Sequence, residues 1–528
     1  MKINLLLLLI LISGVTKAQK TNINDFNSNY INWYNKDLAN DGIVGTSVDK
    51  TYSEILKSLT PKKTIIVAVI DSGVDIYHKD LEDKIWVNKN EIPGNGVDDD
   101  KNGYIDDING WNFIGNKSGE NVYYENLEIT RIVKSNDETS KDYKRAKALY
   151  KKELFKRINQ RNNYEKLKAT WDNAKDIIKE ETGIVIKKKQ DLENVISNKE
   201  SVINATYFLF EGYCQDINEE LITELLNNTN KYFDYYLNTN FNARELVGDN
   251  PLNIEDKYYG NNDVKGIRSD HGSSVAGVIA AKRNNGIGIN GIVDNVKIMV
   301  LKCIPIGDER DKDIALSIFY AVDNGADIIN MSFGKELSPQ KKFVDLAVKY
   351  AEENGVLIVH AAGNGGNNLD IIESFPSDEY SNNTEATNWL NVGATQINLN
   401  KKIIAKFSNY GIKHVDIFAP GVDIVSLDSS NTYIKTSGTS IAAPIVTGIA
   451  ALILSYYPEL TPQELIEIIM NSSYKVQKPK KVFIPNLSTD KIEKAKFNSL
   501  SKSGGIINLF SAFKYIEKKT GAKKMYKL

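Results

Sequence analysis

Short apolar runs, separated by stretches of helical periodicity, limit what this chain can fold into. Residues 64–70 read Thr-Ile-Ile-Val-Ala-Val-Ile and lead directly into Asp71. The stretches 296–304, 326–331, 356–361 and 390–394 repeat the pattern, and 273–282, 311–324 and 340–354 carry helical spacing between them. Strands that are apolar throughout, rather than alternating, belong to a sheet covered on both faces, as a parallel sheet with crossover helices must be. The expected fold class is α/β: a doubly wound, mostly parallel sheet with helices on both faces. In such sheets ligands gather beyond the carboxyl ends of the strands. Asp71 and Asn364 both fall just past such an end.

A chain of 528 residues exceeds one average domain, and one region breaks the rhythm. Residues 118–261 are polar and rich in Lys, Glu, Asn and Tyr. Tyr143, Ala146, Tyr150, Leu154 and Ile158, then Tyr164, Leu167, Trp171, Ala174 and Ile178, follow three- and four-residue spacing. That predicts an amphipathic helix or helical hairpin ended by Gly183, with further helices at 192–203 and 218–226. The expected organisation is a signal peptide over 1–18, an N-terminal extension over 19–61, and a main domain of 62–117 and 262–528 interrupted by a helical insertion of 118–261. The first residues carry a charged start, an apolar core and small residues at −3 and −1 of a cut after Ala18. Export to an extracellular or periplasmic destination is therefore expected. No other segment reads as long and apolar enough for a membrane helix. A net charge of −2 gives no field for nucleic acid or membrane surfaces. Cys214 and Cys303 are expected to be separate thiols.

Gly438-Thr439-Ser440-Ile441-Ala442-Ala443-Pro444 places a serine where an apolar helix begins. Unpaired N–H groups and the helix dipole favour negative charge there. Ser440 is then either a helix cap or a nucleophile with an oxyanion site beside it. Three other segments bear on the choice. Asp71 ends a strand before Ser72-Gly73. His271 opens a helix in Asp270-His271-Gly272-Ser273-Ser274. Asn364 lies in the glycine loop Gly363-Asn364-Gly365. Of the four histidines, His78 lies in a loop and His360 sits late in an apolar strand, where packing is the simpler role. Only His271 stands on a helix start among suitable neighbours. Together these residues supply acid, base, nucleophile and oxyanion donor.

The set, in the order Asp, His, Ser, resembles the subtilisin-like serine peptidases over about 62–115 and 265–475. The resemblance implies that Ser440 attacks a peptide carbonyl, His271 moves the proton, Asp71 orients the imidazole, and the Asn364 side chain holds the oxyanion. It also implies that Ser332, Phe333, Gly334, Ala362 and Gly363 flank the substrate, which adds as an extended strand. Some features depart from the family pattern. Ser274 stands where a second histidine is usual, Ile441 stands where methionine is common, and no recognisable inhibitory pro-domain fits before Thr64. Three functions follow: a secreted serine endopeptidase, a dedicated maturation protease whose insertion selects one partner, and a catalytically dead binding module. No triad residue is lost, which disfavours the last. Protein or peptide substrates are the expected partners, with no nucleic acid, no transmembrane anchor and a monomeric state.

The stretch 98–107 resembles a calcium loop: Asp98, Asp100, Asn102 and Asp106 occupy alternating ligand positions and Gly103 the sixth. Asn109 stands where the bidentate glutamate is usual, so that ligand is missing or comes from Asp107, and a solvated acidic turn is the alternative. A second candidate calcium site, implied by the resemblance, pairs Asp80 with Asn285 in the loop after the histidine helix.

Overall fold

The computed structural model describes residues 22–487 and 492–521; the expected signal peptide lies outside the described residues. The chain divides into two compact units.

The main unit, whose described residues are 22–125, 243–487 and 492–521, is built on a seven-stranded sheet. Its strands are β1 (Ile65–Asp71), β2 (Gly110–Asn112), β3 (Val296–Lys302), β4 (Ile328–Met331), β5 (Leu357–Ala361), β6 (Trp389–Thr395) and β7 (Ile417–Pro420). The order is β2-β3-β1-β4-β5-β6-β7, and every pairing is parallel. Asp71 pairs in register with Lys302. The helices α1 (Asp270–Ala280), α2 (Asp311–Asp323), α3 (Lys341–Glu353) and α4 (Thr439–Tyr456) accompany the sheet. Strand bounds differ from the expected ones by a few residues, because apolar runs continue past the last ladder hydrogen bond. Cys303 and Ile304, for instance, both donate to the single Asp71 carbonyl, where the regular ladder ends. A separate antiparallel pair, Ile424–Asp428 with Thr432–Thr436, was not anticipated.

Helix α4 corrects one expectation. Its length and hydropathy suffice, by composition alone, to cross a membrane. Every residue of it except Ser440 is buried, however, so it is the core helix of this unit. A helix enclosed on all sides is apolar all round, which is the composition of a membrane span.

The segment before β1 is also core. Trp33 and Tyr34 are fully buried. The Tyr34 hydroxyl and the Asn35 amide both donate to the Asn290 carbonyl, at 2.9 Å each.

The second unit spans Asn126–Asn242, narrower than the stretch marked by composition. One 40-residue helix, Tyr143–Thr182, replaces the alternative of a hairpin, and Gly183 caps it in the left-handed conformation. Helices Glu200–Cys214 and Glu219–Lys231 follow. The expected helix at 192–203 is instead a 3-10 turn (Lys189–Asn194), a connector and the first turn of Glu200–Cys214. Leu167, Trp171, Ile178, Val202, Leu209 and Ile222 form this unit's own core.

Residues 243–261, read as part of the insertion, belong to the main unit. The side chains of Arg244 and Asp249 are buried in an ion network. Arg244 donates to Asp313 at 2.8 and 3.2 Å and also to Asp249. Lys312 donates to Asp249 at 2.7 Å. Composition alone assigns such residues to solvent. Cys214 and Cys303 are free thiols.

Candidate active site

Asp71 closes β1 and His271 is the second residue of α1. The helix reaches the strand end because position 272 has no side chain. A Cβ there would lie 2.1 Å from the Gly73 carbonyl oxygen and 3.3 Å from the Asp71 Cβ. His271 Nδ1 donates to Asp71 Oδ1 at 2.8 Å, and the Ser72 N–H donates to the same oxygen at 2.7 Å. Asp71 is buried and the His271 ring is half-exposed. Desolvation alone would lower the imidazole pKa. The charge and hydrogen bond of Asp71 outweigh it and hold the ring above its ordinary value.

Ser440 is not a helix cap. The cap of α4 is Gly438, which makes no side-chain cap bond, and helical conformation begins at Thr439. A Cβ at Gly438 would lie 2.8 Å from Ser440 Oγ and 3.6 Å from Asn364 Nδ2, so both atoms border one small space that a side chain would fill. No hydrogen bond joins Ser440 Oγ to His271 among the described residues. In sites of this kind that contact is often long until substrate binds. Ser332 Oγ donates to the Ser440 carbonyl at 2.8 Å, tying the end of β4 to the start of α4.

Asn364 Oδ1 accepts from the Thr439 N–H at 2.9 Å and from its hydroxyl at 3.0 Å. The Thr439 Oγ1 in turn accepts from the Gly363 N–H at 3.0 Å. These bonds consume the amide oxygen and leave the amide nitrogen as the group facing Ser440. Asn409 shapes the same loop: its Nδ2 donates to the Ala362 carbonyl at 2.7 Å, and its Oδ1 accepts from Gly365 and Asn367. Thr439 lies inside the Gly438–Pro444 motif and Asn409 outside the catalytic motifs read from sequence. Their signal is polarity inside an otherwise apolar or glycine-rich segment.

Past β4, the backbone groups of Ser332 and Gly334 make no backbone hydrogen bond among the described residues. They form an open edge that an extended chain can join. The Phe333 carbonyl accepts from His360 Nε2 at 2.9 Å. Burial lowers the His360 pKa to about 4, in keeping with a packing role. A cavity of about 360 Å³ lies between Asp71, His271, Lys302, Ile304 and the Ser332–Phe333 edge.

The expected cation ligands do not converge as one set. Asp106 turns away, accepting from the N–H groups of Gly94 and Asn95 with one oxygen and from Gly96 with the other. Asp98 closes its own turn through the Asn102 and Gly103 N–H groups. The carboxylates that meet are Glu91, Asp100 and Asp107, with one oxygen of each within 4.8 Å of the others. Asn102 Nδ2 donates to Asp107 at 2.9 Å. Burial raises the pKa of Glu91 and of Asp107, and the neighbouring carboxylates add to it. Three converging carboxylates are the donor chemistry of a hard cation. Glu91 lies outside the motif, so spacing did not reveal it. Asp80 and Asn285 meet as a hydrogen-bonded pair at 2.7 Å, and the second Asp80 oxygen accepts from the Ile289 N–H at 2.9 Å.

The thermophilic serine proteinase of Bacillus sp. (strain AK1) is 40% identical over 188 residues, covering 35% of this chain and 43% of that protein. Subtilisin DY of Bacillus licheniformis is 36% identical over 196 residues, covering 37% of this chain and 67% of that protein. The solved structure of the prenylagaramide maturation protease PagA is 27% identical, with a TM-score of 0.37, covering 47% of this chain and 82% of that one. The matched region spans less than half of the thermophilic proteinase. The model of the subtilase family matches residues 62–494. The chain belongs to the subtilase family.

Proposed function

We propose that this chain is a secreted serine endopeptidase that cleaves peptide bonds through an acyl-enzyme. The observation that carries the reading is the shared space at Gly438, bordered by Ser440 Oγ and Asn364 Nδ2, together with the Asp71–His271 hydrogen bond. In this reading His271 Nε2 removes the Ser440 proton as Oγ attacks the substrate carbonyl. Charge moves onto the carbonyl oxygen, which Asn364 Nδ2 and the Ser440 N–H stabilise. His271 returns the proton to the leaving amine, the peptide bond breaks, and water releases the acyl group by the same steps in reverse roles. Asp71 holds the imidazole in the tautomer that has Nε2 free.

A calcium ion at Glu91, Asp100 and Asp107 would offset most of their converging negative charge and tie the 91–107 loop together. The N-terminal apolar run would direct export. A fluorophosphonate probe should modify Ser440 in the folded protein, and cleavage of a peptide library should report endoproteolysis. Failure to label Ser440 overturns the reading. Chelation of divalent ions should lower the melting temperature; no change would exclude the calcium site.

A further inference from the structure

Lys302 is out of place in a parallel sheet. It ends β3 beside Asp71 of β1, and register partners on neighbouring strands point to the same face. Its side chain therefore rises on the face that carries Asp71. It is 1% exposed, yet its amine has no hydrogen-bond partner. No ion pair joins it to Asp71, whose Oδ1 is already taken by His271 and Ser72. The amine extends toward Gly266, where a Cβ would lie 2.2 Å from Nζ.

The counter-charge nearest at hand is also committed. Asp263 accepts from Asn121 Nδ2 at 2.7 Å and from the Gly266 N–H at 2.8 Å, and it forms no ion pair with Lys302 among the described residues. Arg268, on the same cavity wall, is paired with Asp270 at 3.2 Å. An ammonium kept from water without an acceptor is costly. Burial accordingly lowers its pKa, only partly offset by Asp263. Lys302 also lines the cavity of about 360 Å³ bounded by His271 and the Ser332–Phe333 edge.

We propose that Lys302 is a specificity-determining residue that pairs with the carboxylate of an aspartate or glutamate side chain close to the scissile bond. The inference rests on the endopeptidase reading and adds a substrate class to it. A peptide lying along the open edge at Ser332 and Gly334 would send one side chain into the cavity. A carboxylate there would supply the acceptor that Lys302 lacks, whereas a basic side chain would meet it and Arg268 as like charges. Neutral side chains would leave the ammonium unpaired.

The test is a set of peptides identical except for one position, scanned along both sides of the cut, with Glu compared with Gln and Asp with Asn. The wild-type protein should prefer the acid at one position by tenfold or more in kcat/KM. Lys302→Met should reduce that ratio to near one, and Lys302→Arg should keep most of it. Lys302→Glu should favour Lys or Arg at the same position. Ser440 labelling is measured in parallel. Protein that labels at Ser440 yet shows no acid preference at any position overturns this inference and leaves the endopeptidase reading intact. So does a labelled Lys302→Met variant that keeps the full preference. Protein that neither labels nor cleaves overturns both.

Discussion

Asn364 holds Thr439 through its side-chain oxygen, accepting from both its N–H and its hydroxyl, and so has only its amide nitrogen to offer a substrate. This division of labour makes two substitutions informative. Asn364→Ala removes both functions, so any loss mixes a missing donor with a loosened turn. Asn364→Asp keeps the acceptor for Thr439 and replaces the donor with an oxygen. We expect Asn364→Asp to lower kcat by at least the ~10²–10³-fold typical of a lost oxyanion donor, with KM little changed. Steady-state kinetics on a short peptide checks this. A variant within a factor of three of wild type would exclude Asn364 from the oxyanion site.

In the proposed mechanism the Asp71–His271 pair sets the pH dependence. Only the neutral imidazole can take the Ser440 proton, and Asp71 holds the ring's pKa above its ordinary value of about 6.5. The acid limb of kcat/KM should therefore lie above that value. In Asp71→Asn the limb should move to lower pH, with kcat down about 10⁴-fold because the wrong tautomer is held. Linkage gives the stability effect. The folded ring binds its proton more tightly than the unfolded one, so the pair stabilises the fold fully below about 6.5 and loses this contribution as pH rises through the raised value. Denaturant melts of wild type and Asp71→Asn across that range should converge toward high pH.

The site was legible in sequence because each chemical group sits at an element end that apolar pattern and glycine mark: Asp71 after a strand, His271 and Ser440 at helix starts, Asn364 in a glycine loop. What was not legible depends on contacts distant in the chain. Glu91 joins Asp100 and Asp107 through loop folding, and Thr439 meets Asn364 across 75 residues. Lys302 looks like an ordinary strand terminus until the register puts it beside Asp71. The insertion's boundary was overdrawn for the same reason, since Arg244, Asp249 and Lys312 are buried by pairing.

Trp171 anchors the unit at Asn126–Asn242. It is 1% exposed, and a Cβ on Gly212 would lie 2.5 Å from its ring. Trp171→Ala should cost this unit about 3–5 kcal/mol through lost burial and an uncollapsed cavity. Since the unit has a core of its own, limited proteolysis should then cut within 126–242 first, while Ser440 stays reactive to a small fluorophosphonate. Simultaneous loss of labelling and of protease resistance throughout the chain would show the two units to be one cooperative fold.

Arg244 tests the buried network at the chain's return to the main unit. Its guanidinium faces Asp313 and Asp249, both nearly inaccessible, while Lys312 pairs with Asp249 and Asp256 but not with Asp313. Arg244→Met leaves the Asp313 carboxylate in the interior with the Tyr259 hydroxyl as its remaining side-chain donor, and should destabilise the main unit by about 3–5 kcal/mol. Pairing it with Asp313→Leu removes the stranded charge, so the double variant should recover much of the loss. Equal midpoints for the single and double variants in denaturant titration would contradict this, because the penalty would then come from lost packing of the arginine stem rather than from an unpaired carboxylate.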